Sequence, residues 1–477
     1  MNNINNLFLK EPKVINIGIK SFAENAQKFT EVIDVNWNPP AWGDNKLADK
    51  IAELMEDSTP DSLGSKIKEA NEKAFNRLVN SKPTLVDIVP AIEALPGMTE
   101  NTILHAGAPV DWKNISGPMK GAIIGALIYE GRAENREEAE KLAASGDIEF
   151  APCHSKNAVG PMAGIISPSM PVWVVRNDDF GNFGYATMNE GWGKTLRFGA
   201  YNDNVIERLH WMEETLAEAM KVVIKRLEGV NLKSIIGKAV QMGDECHNRD
   251  IAATNLFFKK IIPELVKSSF PADKTEEVIS FLGKHDHFFL NLGMAASKAG
   301  LVAAHNIPYS TMVTAIARNG VEVGIKVSGM EDEWFTEEAP IPEGLYFPGY
   351  SKKDANRDLG DSAIMETGGL GAFAMASAPA IVQFVGGTTK DAEKYTKEMF
   401  KITLGKNTNY GMPTMAFKGV PTGIDIIKIV DKNILPIVNT GIAHKEPGHG
   451  LVGAGVSRMP KGCFLKAIER FVDKYNG

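Results

Sequence analysis

Two rhythms of apolar and polar positions run along this chain, and the change between them divides it. Near the start, short apolar runs alternate with helical spacing. Val14–Ile19 (VINIGI) predicts a strand, Phe22–Phe29 a helix with Ser21 and Glu24 placed as a capping box, and Glu31–Trp37 (EVIDVNW) a second strand. Asn38-Pro39-Pro40 breaks the chain; helical spacing returns over Lys46–Met55 and Lys66–Val79, and Thr84–Val89 (TLVDIV) follows Pro83 as another strand. This order predicts a Rossmann-like parallel sheet domain over residues 1–110. The first strand is followed by one glycine rather than G-x-G-x-x-G, so dinucleotide binding is not expected there.

Further on the period lengthens. Val205, Leu209, Met212, Leu216, Met220, Val223 and Leu227 recur every three or four residues, which predicts one helix over Val205–Leu227 with a single apolar stripe. Leu232–Met242, Ile251–Val266, Lys274–Leu282 and Phe288–Ala304 repeat the pattern, making 203–305 a helical region. Residues 111–202 read as a Gly-rich α+β domain with a buried strand at Trp173–Arg176. Residues 306–477 read as a C-terminal α+β domain with strands at Val321–Val327 and Ile381–Val385. The fold class expected is α/β combined with α+β.

Glycine sharpens this division. Of 45 glycines, only Gly18, Gly43 and Gly64 precede residue 96, and all nine histidines lie beyond residue 100, so the chemistry is expected after the N-terminal scaffold. With 52 Lys and Arg against 59 Asp and Glu, the net charge of −7 offers no basic face for nucleic acid. Cys153, Cys246 and Cys463 are too few and too scattered for a disulfide framework and fit a reducing, cytoplasmic setting. The first residues show no signal-peptide pattern. Two uncharged stretches, 157–175 and 367–389, are interrupted by proline or dominated by small residues, which predicts close-packed backbone rather than a bilayer span. A homo-oligomer is expected, to cover such stretches.

The long segments GPMKGAIIGALIYEG, FAPCHSKNAVGPMAGIISPSMPV, NEGWGKTLRFGA, MGDECHNRDIAATNLF, PEGLYFPGYSKKDANRDLGDSAIMETGGLGAFAMASAPAIV and GIAHKEPGHGLVGAG resemble the YlbE-like family over essentially the whole chain. The resemblance implies one subunit of an oxamate carbamoyltransferase of anaerobic allantoin breakdown, working with an FdrA-like partner and a further partner subunit. It implies reversible transfer between carbamoyl phosphate and oxamate, giving oxalurate and phosphate. It supplies no catalytic residues.

Those come from the chemistry. Both substrates are anions, so an acidic protein must gather cations and N–H donors locally. PCHSK places His154 to stabilise an oxyanion and Lys156 to bind phosphate, with Cys153 a lesser nucleophile. NEGWGKTLRFGA offers Lys194 and Arg197, three apart. MGDECHNRD offers His247 for catalysis and Arg249 for substrate, and Asp244, Glu245 and His247 as weak ligands for a divalent metal; otherwise no cofactor is expected. Arg318 precedes an Asn-Gly turn and suits a carboxylate. Asp354, Asp358, Asp361, Ser362 and Glu366 sit in a polar run leading into the uncharged segment, without calcium-loop spacing. Among the glycines of GIAHKEPGHGLVGAG, His444 is expected as a second catalytic group that stabilises the oxyanion or moves a proton, and Lys445 and His449 as substrate binders. The Ser-Thr-Arg-Thr phosphate loop of the familiar transcarbamoylases is absent. Two rival readings remain: a non-catalytic structural subunit, and a metal-dependent small-anion enzyme.

Overall fold

The computed structural model describes residues 13–35 and 37–475. Residues 1–12 and Asn36, inside the second predicted strand, lie outside the described residues. The N-terminal strands are Lys13–Ile17 and Glu31–Val35, paired in parallel with Ile15 opposite Ile33, and connected by the helix Lys20–Ala26. Ser21 falls inside that helix, whose N-cap is Ile19 without a side-chain bond, so the expected capping box does not form. The parallel sheet stops at two strands. The next strand, Pro83–Pro90, pairs antiparallel with Pro171–Asn177 in a separate five-stranded sheet. Ile15, Ile17 and Ile33 are thereby left more than half exposed on one face.

The helices at Asn45–Met55 and Leu63–Asn80 start where side chains of Asp44 and Ser62 accept N–H bonds from Leu47 and Ser65. The long stripe packs nearly as predicted: Val205, Leu209, Met212, Leu216, Met220 and Val223 are buried, and Leu227 at its end is partly buried against the same core. Its helix passes through a π-helical turn at Met212–Ala217. Leu232–Gln241, Ile251–Val266, Ala272–Leu282 and Leu290–Ala303 complete the helical layer. The last packs on the strands Pro171–Asn177 and Phe183–Thr187.

The C-terminal half holds a four-stranded sheet (Phe335–Glu338, Glu322–Val327, Val313–Asn319, Leu359–Gly360) and a three-stranded one (Glu343–Tyr346, Leu451–Arg458, Ile437–Ala443). The strand predicted at Ile381–Val385 is instead a short helical turn, Pro379–Ile381 running into Val382–Val385. Alternation cannot distinguish so short an apolar run from buried helix. The uncharged stretch from Thr367 to Ala378 is buried backbone within this chain. Among the described residues no helix is long and apolar enough to cross a membrane.

One contact sets the stage for the site. The buried helix Gly117–Tyr129 presents Gly121, where a Cβ would lie 2.5 Å from the Gly199 carbonyl and 2.6 Å from the Pro447 side chain. That close approach seats the 189–200 loop beside the 441–450 loop, and the Gly448 N–H donates to Phe198 O at 2.9 Å.

Candidate active site

Five of the motif segments meet in one narrow cleft. Pro161 and Met162, Trp192 and Arg197, His247 and Asn248, Ser362, and Gly441 with Leu451 all line it, joined by His287 from outside the motifs. Free space within it is about 20 Å³, enough for a water-sized group.

Its chemistry rests on two histidine–carboxylate pairs. His247 Nδ1 lies 2.8 Å from Glu366 Oε1, an oxygen that also accepts the N–H groups of Ala372 and Asn439 at 3.0 and 3.2 Å. His287 Nδ1 lies 2.9 Å from Asp250 Oδ2. Glu366 fixes the His247 ring through Nδ1, whereas Asp250 lies at ion-pair distance from His287 without a hydrogen bond to it, and neither Nε2 meets a hydrogen-bond partner among the described residues. Burial works against a charged His247, but Glu366, with help from Glu245, outweighs it and holds the pKa above 6.5. At His287 burial, followed by Arg197 and His247, pushes the pKa down to about 3. Burial pushes Asp250 well above the usual carboxylate range. One cleft therefore holds an imidazole biased toward its charged form and another biased toward its neutral form.

Arg197 supplies a further cation. It is buried, its Nη2 donates to Gly191 O at 2.7 Å, and its Nε lacks a partner. Glu190 fixes the short turn Leu196–Phe198 by accepting N–H bonds from Leu196 and Arg197. Burial lowers the Arg197 pKa to about 10, against the pull of Glu190, so the guanidinium stays charged at neutral pH. Trp192, partly exposed, lines the cleft and stacks on His287 with ring centroids 5.2 Å apart. It stands between Gly191 (φ +88°) and Gly193 (φ +94°), both in the left-handed region.

His154 lies elsewhere. Its Nδ1 meets Lys298 Nζ at 3.1 Å, and its Nε2 is 3.6 Å from Asp361 Oδ1, in a second, polar cavity lined also by His305 and Lys326. Asp361 accepts N–H bonds from Gly107 and Gly160 and is raised to about 7 by burial. Its neighbour Ser362 lines the first cleft.

The remaining expected residues are set apart. Lys156 reaches Gly97 O at 3.2 Å on the surface. Lys194 and Lys445 are exposed, so Lys194 and Arg197 do not face one anion; a 3₁₀ turn rather than an α-turn lies between them. Arg249 bonds Gly243 O and sits 3.6 Å from Asp244. Arg318 is fully buried, 3.2 Å from Asp358 Oδ1 and bonded to Gly360 O, a structural ion pair rather than a carboxylate receptor. His444 stacks on the exposed His449 and lines neither cavity. Asp244, Glu245 and His247 do not bring their ligand atoms within 4.8 Å of one another, and Glu245 accepts the N–H groups of His247, Asn248 and Arg249. Burial, moreover, raises Asp244 to about 7 and Glu245 to about 8. Among the described residues, the group with metal-ligand spacing is His444, Glu446 and His449, within 4.8 Å of one another, although His444 Nδ1 already accepts the Glu446 N–H.

Sequence reasoning missed His287, Lys298 and Lys326. Lys298 did carry a signal, as the one charge in LNLGMAASKAGLVA. His287, in a polar stretch between helices, carried none.

The model of the family described as oxamate carbamoyltransferase subunit AllG matches residues 148–362, the stretch that holds Arg197, His247, His287 and Lys298. The Escherichia coli K12 protein of that description is 41% identical over 410 residues, covering 85% of this chain and 98% of the relative. The chain belongs to the AllG family. A second relative in the same organism, the uncharacterized protein YahG, is 43% identical over 470 residues, 98% of this chain and 99% of its own. A crystal structure of a conserved protein of unknown function from Enterococcus faecalis V583 superposes with a TM-score of 0.85 at 46% identity, covering 86% of this chain and 99% of that one. The AllG family is thus the one to which the long motifs pointed.

Proposed function

We propose that this chain is a subunit of a cytoplasmic oxamate carbamoyltransferase, and that the cleft around His247 and His287 takes part in the transfer. The observation that carries this is the pair of oppositely biased histidines beside a buried arginine. In the synthetic direction the oxamate amide nitrogen attacks the carbamoyl carbon of carbamoyl phosphate. His287 Nε2 accepts the amide proton. Charge gathering on the carbamoyl oxygen and the departing phosphate is met by His247 and Arg197, and the C–O bond to phosphate breaks with its electron pair leaving on phosphate. Oxalurate phosphorolysis retraces these steps. Substrate must first displace Trp192, because the narrow cleft admits only a water-sized group. An FdrA-like chain and a further subunit complete the assembly.

The test is oxalurate phosphorolysis by the reconstituted assembly. His287→Asn is expected to slow turnover by about 10²–10⁴-fold, the range for a lost general base. Wild-type turnover in both His287→Asn and Arg197→Met would place the chemistry in a partner subunit.

A further inference from the structure

We propose that the chamber beside His154 is a second anion-binding site, built for a compact divalent oxyanion of the phosphate class and separate from the cleft that holds His247. It is a polar cavity of about 240 Å³, below the roughly 300–1,000 Å³ of drug-sized pockets, so it suits inorganic phosphate or a small phosphorylated molecule rather than a nucleotide. Lys298 projects into it from the middle of the helix Leu290–Ala303 and is only 6% exposed. Its Nζ meets His154 Nδ1, and among the described residues no carboxylate lies within ion-pair distance of it. Lys326, 5% exposed, reaches the same space from the strand Glu322–Val327. The Nε2 atoms of His154 and His305 are both buried without a hydrogen-bond partner, while His305 Nδ1 is held 2.8 Å from Thr314 Oγ1.

Two ammonium groups and two imidazoles therefore face one another across a small space. The opposing carboxylates are Asp361, already engaged by two backbone N–H groups, and Asp332, which pairs with Lys326. Burial and the nearby Lys326 push Lys298 down to about 7, the mark of a buried cation short of negative charge. Asp332 is the one movable counter-charge: its side chain is 82% exposed and can turn to water when a stronger anion arrives. A phosphate dianion carries charge to balance both ammonium groups and presents oxygens to each.

The site is tested by calorimetry of inorganic phosphate on the full chain carrying Arg197→Met, which removes the arginine of the other cleft. One phosphate site is expected to remain. Adding Lys326→Met should weaken it by about tenfold or more, and adding Asp332→Asn should tighten it by removing the competing carboxylate. No phosphate binding in Arg197→Met overturns the proposal. So does unchanged affinity in a folded Lys326→Met protein, or unchanged or weaker affinity in Asp332→Asn. Because Asp332 is exposed, its variant keeps the test decisive if Lys326→Met fails to fold. Wild-type phosphorolysis in both His287→Asn and Arg197→Met would remove the reading of the first cleft and leave these binding results standing.

Discussion

Replacing His247 by Gln is the sharpest probe of the proposed cleft, since it keeps a donor and deletes a charge. The side chains of His247 and Glu366 are 3% and 0% exposed, so their pairing is little screened by solvent. A unit charge about 4 Å from an anionic substrate, at an effective dielectric of about 20, is worth about 4 kcal/mol. The cleft must open past Trp192 to admit substrate, which wets it, so the value for a charge-assisted hydrogen bond, about 1.5–3 kcal/mol, governs instead. A loss of about 2 kcal/mol corresponds to roughly a 30-fold fall in kcat/KM for phosphorolysis. The pH dependence has a definite sign. The His247 pKa lies above 6.5, so its charge persists through mildly acidic pH and fades as pH rises through that raised value. Glu366→Gln removes the main support of that charge, so the alkaline fall in activity should move to lower pH while an acceptor oxygen remains for Ala372 and Asn439. Unchanged kcat/KM in His247→Gln, or an alkaline limb that stays in place in Glu366→Gln, refutes the reasoning.

Arg318→Met strands the buried Asp358 carboxylate and should cost about 3–5 kcal/mol in urea unfolding, with Arg318→Met/Asp358→Leu recovering much of it; equal losses in single and double variants would show that the pair is not coupled. Lys194→Ala, on an exposed side chain, should alter stability by no more than about 0.5 kcal/mol and leave phosphorolysis unchanged. Oxamate should change tryptophan emission in the wild type as Trp192 leaves His287, and a change of the same size in Trp192→Phe would show that the ring does not move.

Much of the fold was legible because burial writes itself as periodicity. The stripe from Val205 to Val223 was read residue by residue, since one helix face buries them all. Partner choice among strands was not legible: TLVDIV fits a parallel or an antiparallel neighbour equally, and Pro83–Pro90 took Pro171–Asn177. The site divides the same way. Glycine and proline marked the loops that converge, because tight turns need them, and Arg197 and His247 were found on those loops. Direction was hidden. Lys194 and Arg197 are three residues apart, yet one points to water and the other inward, because the turn between them is not α-helical. His287 and Asp250 lie 37 residues apart and are paired only by tertiary packing.

Asp361 and Ser362 are consecutive residues, and the first faces His154 while the second faces the His247 cleft. One peptide link therefore carries a side chain toward each of two rooms. An alteration at either of these two positions is expected to register on both sides, in phosphate binding and in phosphorolysis together.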